Sequence, residues 1–143
     1  MKSLEIPAEK ARLGEVTDFV LDFAKNLGFE KKELFELKLC TEEIFVNVAS
    51  YAYKPDTGMI TVTADGSEDP LSVALSFADS GKPFDPLAKP DPSKKRPLSQ
   101  AKKGGLGIFL TKKLMDEVSY AYQDGKNVLT IKKIILPTES SYE

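Results

Sequence analysis

Apolar positions in this chain change their spacing several times, and each change marks an element. Leu4 and Ile6 alternate with polar neighbours ahead of Pro7, which predicts a short first strand. Leu13, Val16, Val20, Phe23 and Leu27 then recur at helical spacing, and Gly28 supplies a stop. A second helix is predicted from about Lys31 to Tyr53. Leu34, Leu37, Thr41, Ile44, Val48 and Ala52 form its apolar stripe, and Lys54-Pro55-Asp56-Thr57-Gly58 breaks it.

Beyond that break the period shortens to two. Ile60 and Val62 alternate with Thr61 and Thr63, and Leu71, Val73, Leu75 and Phe77 alternate with Ser72, Ala74, Ser76 and Ala78. Asp65-Gly66-Ser67-Glu68-Asp69-Pro70 reads as the turn between two adjacent antiparallel strands. From Asp85 to Lys103 all periodicity is lost, and Pro86, Pro90, Pro92 and Pro97 are mixed with Lys89, Lys94, Lys95, Arg96, Lys102 and Lys103. A loop of that length inside a compact domain is either functional or a solvated, disordered run. Gly104-Gly105-Leu106-Gly107 then opens a third helix through about Met115, and Val118 to Gln123 and Val128 to Ile134 read as a hairpin around Asp124-Gly125.

This order predicts an α+β fold: a two-layer α/β sandwich with a mixed, largely antiparallel sheet and helices on one face. A length of 143 residues suits one domain, taken as 1–137, with a frayed tail over 138–143.

Composition narrows the chemistry more than it narrows the fold. A net charge of −2 gives no reason to expect nucleic acid as a partner. Cys40 is the single cysteine, so neither an internal disulfide nor a multi-cysteine metal cluster is available. No apolar run suits a signal peptide or a membrane span, and a cytoplasmic protein is expected. With no histidine in the chain, catalysis would rest on carboxylates, hydroxyls, lysines or a bound metal.

Three clusters carry candidate chemistry. Glu43 and Asn47 are four residues apart on the second helix and project from nearly the same face, off the apolar stripe. A carboxylate beside an amide oxygen suits hydrated Mg²⁺ and the positioning of a hydroxyl, although the pair equally fits a solvated helix face. Asp79 ends an apolar strand and begins Asp79-Ser80-Gly81-Lys82-Pro83-Phe84, where its carboxylate could accept a hydrogen bond from a purine amino group and Gly81 would let the backbone approach the base. The same residues also fit an Asx turn. The glycines from Gly104 to Gly107 offer backbone N–H groups and a helix N-terminus to phosphate, with Lys102 and Lys103 as counter-charge; a flexible turn is the other reading. A dinucleotide fingerprint is excluded because a basic loop precedes the glycines, and a P-loop because no Gly-Lys-Ser/Thr occurs.

In order, Glu43-Ile44-Phe45-Val46-Asn47, Asp79 to Pro86 and Gly104 to Leu110 resemble the N, G1 and G2 boxes of the GHKL ATPases. From about Leu4 to Ile134 the chain resembles the small anti-sigma serine kinases of bacterial partner switching, notably through Leu114-Met115-Asp116-Glu117-Val118. That resemblance implies the Bergerat ATP-binding fold, with ATP and Mg²⁺ as cofactors. It implies Asn47 as the Mg²⁺ ligand, Glu43 as the base toward an acceptor serine, and Asp79 as the adenine reader, flanked by Gly81 and Phe84. Gly104, Gly105, Leu106, Gly107 and Ile108 become the phosphate cradle, Lys102 and Lys103 its cations, and Asp85 to Lys103 the ATP lid. Arg12 is the candidate for a phosphate or partner contact. The implied partners are an anti-anti-sigma protein, a sigma factor and a second copy of the chain.

The sequence departs from that pattern at Ser50-Tyr51-Ala52-Tyr53, where a His-containing form is common, and at Asn127-Val128, where many relatives carry threonines near the adenine. Cys40 receives no role. A nucleotide-dependent binding module without phosphoryl transfer is the alternative of a different class. A histidine-kinase catalytic domain would need a phosphoacceptor helix pair, and gyrase-like hydrolysis a coupled transducer domain.

Overall fold

A computed structural model describes residues 1–53, 56–88 and 105–136. The elements are β1 (Lys2–Pro7), α1 (Leu13–Leu27), α2 (Lys31–Asn47), β2 (Met59–Glu68), β3 (Leu71–Asp79), α3 (Gly105–Leu114), β4 (Glu117–Gln123) and β5 (Lys126–Ile135). The five strands form one sheet in the order β1-β2-β3-β5-β4, with every neighbouring pair antiparallel.

The alternation read from the sequence sets which face each strand buries. Ile60, Val62, Val73, Leu75, Phe77 and Ile131 point to one side, where they meet Val16, Val20 and Ala24 of α1 and Leu37, Ile44 and Phe45 of α2. Thr61, Thr63, Ser76 and Thr130 occupy the other face and are half-buried. Burying the apolar side of strands and helices against one another is the main stabilising contribution in such a two-layer domain. Gly28 ends α1 in the left-handed conformation at φ 113°, as a C-terminal glycine does.

Three expectations need correction. The second helix was expected to run to Tyr53, but α-helical winding ends at Asn47 and a π turn carries Val48–Ala52. The segment from Asp65 to Glu68 was expected in a turn, yet β2 continues through it, pairing Asp65 with Ala74 and Gly66 with Val73. The reversal is confined to Asp69-Pro70, a cis peptide. Turn-forming residue types yielded here to a neighbouring strand able to pair with all of them. The buried face of α2 is also wider than the expected stripe, since Cys40 and Phe45 are buried as well.

Strand register delivers the chemically interesting residues to one corner. Asp79, last in β3, lies opposite Ile60 on one side and Asn127 on the other. Tyr122 and Tyr120 of β4 face Asn127 and Leu129 of β5.

Candidate functional site

A cavity of about 480 Å³ opens at that corner. Ile44 and Val48 wall it on the helix side, Phe77 and Leu129 form its floor, and Pro83, Phe84 and Ile108 border it. Such a slot, largely apolar with a few placed polar groups, has the make-up of a small-molecule site. Its polar side chains are those of Asn47, Tyr51, Asp79, Lys82, Tyr120 and Asn127.

Asp79 is only 6% exposed. Its Oδ1 accepts two hydrogen bonds, from the Gly81 N–H at 2.9 Å and from Asn127 Nδ2 at 3.0 Å. Among the described residues, none donates to Oδ2. The carboxylate is therefore held by one oxygen and free to accept at the other.

Two clamps fix the loop that follows. Lys82 N–H donates to the Ala52 carbonyl of the π turn at 3.1 Å. A methyl group at Gly81 would stand 2.2 Å from that same carbonyl oxygen, so the close approach this glycine serves is to Ala52. The Tyr53 hydroxyl donates to the Met59 carbonyl at 2.5 Å and accepts from the Ser80 N–H at 2.7 Å, which ties the start of β2 to the end of β3.

At the opposite end α3 meets α2. Asn47 is half-buried and lines the cavity; Glu43, one turn earlier, is exposed and lies against α3. A methyl group at Gly107 would sit 2.4 Å from Glu43 Oε2 and 3.0 Å from its Cβ, so only glycine admits this approach. The Thr111 hydroxyl donates to the Gly107 carbonyl at 2.8 Å inside the same seam. Cys40 is buried nearby as a free thiol, and burial pushes its pKa up. Lys133 secures the far end of α3, donating to the Leu114 carbonyl at 2.7 Å while pairing with Glu36 of α2 at 3.3 Å. The latter is an ion pair without a directional hydrogen bond, because Glu36 Oε1 has no donor in line with it.

The histidine kinase-like ATPase domain family matches residues 6–133. This chain belongs to that family. Serine-protein kinase RsbW of Bacillus cereus strain B4264 is 29% identical to this ATPase domain over 135 residues, covering 92% of this chain and 83% of that protein. The protein of the same name from Bacillus mycoides strain KBAB4 is 28% identical with the same coverage. A crystal structure of the RsbU and RsbW domains of a Mycobacterium tuberculosis protein superposes with a TM-score of 0.65 at 17% identity. It covers 96% of this chain, which spans 34% of that one, and it shows the shared fold. The resemblance read from the three motifs is thus borne out, and membership implies use of ATP.

Within the ATPase domain the structure gathers Asn47, Asp79, Phe84 and Ile108 around one cavity and packs Gly107 against Glu43, neither of which is among the lining residues. Gly105 and Leu106 open α3. Lys102, Lys103 and Gly104 lie outside the described residues, as does the expected lid beyond Ala88; the part within them contains a 3₁₀ turn at Pro86–Ala88. Arg12 pairs with Glu15 at 3.0 Å on the surface and does not line the cavity. Sequence reasoning gave no role to Asn127, Tyr120 or Tyr53. The signal available for Asn127 was its departure from threonine just after the Asp124-Gly125 turn. Among the described residues, no helix is long and apolar enough to cross a membrane.

Proposed function

We propose that this chain is an ATP- and Mg²⁺-dependent serine protein kinase and anti-sigma factor of a partner-switching system, acting on a serine of an anti-anti-sigma protein. The observation that carries the reading is the shape of the cavity: apolar walls, a carboxylate oxygen bare at one end, and Asn47 beside the start of α3 at the other. Phe77, Leu129 and Ile44 suit the faces of a purine, and Asp79 Oδ2 suits its exocyclic amino group. The N-terminal turn of α3 brings helix-start N–H groups, which lack an intrahelical acceptor, and a positive dipole end for phosphate.

The residues present fit Mg²⁺. Asn47, half-buried in the cavity lining, brings one amide oxygen, which suits an ion held mostly by phosphate and water. Asn47 is the side chain that would hold it, and the ion would supply charge neutralisation on the phosphates. Glu43, exposed at the seam with α3, would take a proton from an incoming serine hydroxyl. The name of the Bacillus relatives supports serine as the acceptor. The motif resemblance supports the anti-anti-sigma partner, a sigma factor as the second partner, and pairing with a second copy. We take 1–137 as the kinase domain, and a lone buried free thiol suits a cytoplasmic setting.

The test is transfer of labelled γ-phosphate from ATP to a serine of the antagonist protein. Glu43→Gln should lower transfer by about 10²-fold or more while leaving ATP affinity nearly intact. Equal loss of binding and transfer would remove Glu43 from the role of base. ATP-dependent capture of the antagonist with no phosphoserine formed would favour a binding module instead.

A further inference from the structure

We infer that Asn127, acting with Tyr120, is the positioning residue that makes this cavity select a purine with an amino group at C6 over one with an oxo group there. The inference rests on the nucleotide reading above and concerns how the Asp79 end acquires its selectivity.

Asn127 is 7% exposed, and all its hydrogen-bonding capacity is engaged within the protein. Its Nδ2 donates to Asp79 Oδ1 at 3.0 Å and to the Lys82 carbonyl at 2.8 Å, with the Gly81 carbonyl at 3.5 Å. Its Oδ1 accepts from the Phe84 N–H at 3.0 Å and from the Tyr120 hydroxyl. Every neighbour of the nitrogen is an acceptor and both neighbours of the oxygen are donors, so the amide has one permitted orientation.

Two consequences reach the cavity. Asp79 has Oδ1 occupied by Asn127 and Gly81, which leaves Oδ2 as the oxygen available to a ligand. Tyr120 lines the same cavity, but its single proton is committed to Asn127, so its oxygen offers only lone pairs. Asn127 itself has no N–H left to offer. Asp79 and Tyr120 therefore present acceptors and no donor, and Asn127 presents neither. A 6-amino group meets them with N–H, whereas a 6-oxo group brings a carbonyl oxygen against a carboxylate. Sites that pair a polar group of one ligand discriminate strongly against an analogue that leaves that group unpaired.

The experiment is calorimetric titration of the whole protein with adenosine diphosphate and with inosine diphosphate, for the wild type, Asn127→Ala and Tyr120→Phe. The wild type should prefer the adenosine nucleotide by at least about 100-fold. Asn127→Ala should reduce that ratio to roughly tenfold or less, by weakening adenosine nucleotide binding while inosine nucleotide binding holds or improves, because Asp79 loses its tether and water can enter to donate. Tyr120→Phe, which leaves the Asn127 amide in place, should narrow the ratio a few-fold. A purely structural role for these residues would weaken both nucleotides equally and keep the ratio. An unchanged ratio in both variants overturns the inference, as does a wild type that binds the two nucleotides alike. If Asn127→Ala does not fold, Tyr120→Phe decides. A wild type that binds neither nucleotide overturns the nucleotide reading itself, an outcome distinguishable from the others before any variant is made.

Discussion

At the Asp79 end of the cavity, position is set by strand register and a closed set of hydrogen bonds: Asp79, Gly81, Lys82, Phe84 and Tyr120 all converge on the amide of Asn127. At the Gly107 end, Glu43 is placed by fit, through a helix start bare enough to let a carboxylate approach. The first end is sensitive to the direction of each hydrogen bond, because an engaged network fails when one member changes from donor to acceptor. The second is sensitive to volume, because a missing Cβ defines it. On the proposed reading, the cavity would hold a base rigidly at the first end and leave the second accessible to another protein.

Changing one oxygen to a nitrogen tests the first half of that contrast most severely. Asp79→Asn would turn a donor, or an uncharged acceptor, toward the purine, and adenosine affinity should fall about 30- to 100-fold, as expected for a charge-assisted hydrogen bond of roughly 2–3 kcal/mol. Calorimetry with adenosine, which lacks phosphate, isolates this end; unchanged affinity would show that the base lies elsewhere. Next in size is Gly107→Ala, whose methyl group displaces the Glu43 carboxylate. Phosphoryl transfer should drop about tenfold or more, since misplacing a reacting group by about 1 Å is costly, while adenosine affinity stays within about twofold. Parallel loss of adenosine binding would mean that the two ends are not separable.

A smaller effect is expected at the clamp between the strands. Tyr53→Phe leaves the Ser80 N–H and the Met59 carbonyl to water at a partly exposed site, so unfolding should cost about 1 kcal/mol less, read as a melting temperature lower by roughly 3–5 °C. The smallest effect concerns Cys40, whose folded pKa is raised chiefly by burial. The folded thiol holds its proton more tightly than the unfolded one. Its contribution to stability is therefore complete below the unfolded value of about 8.5 and is lost as pH rises through the folded one. Denaturant titrations above that pH should show a shallower decline for Cys40→Ala than for the wild type.

What could be read from the sequence divides along similar lines. Glu43, Asn47 and Asp79, and the glycines around Gly107, were legible because each sits in a short local motif whose spacing carries meaning. The strands and the α1 stop at Gly28 were legible from periodicity. Asn127 stood out only as a departure from the family pattern; its bond to Asp79 was not legible, because the two are 48 residues apart and only the β3–β5 register brings them together. Glu36 and Lys133 are hidden for the same reason: each reads as an ordinary surface charge until α2 is laid over β5. The extension of β2 through Gly66 was missed because turn propensity is local, whereas strand pairing is decided by the neighbour.

The π turn at Val48–Ala52 accommodates more residues per revolution than ordinary helical winding. Its closing carbonyl, on Ala52, faces across to Lys82, and Tyr53 follows directly with its hydroxyl on β2 and β3. Shortening this stretch by one residue would restore regular winding and swing everything after it by about 100°. Ala52 and Tyr53 would then miss their mates although no contacting side chain had been altered. This bend should accept exchanges of residue type far more readily than a change in its count.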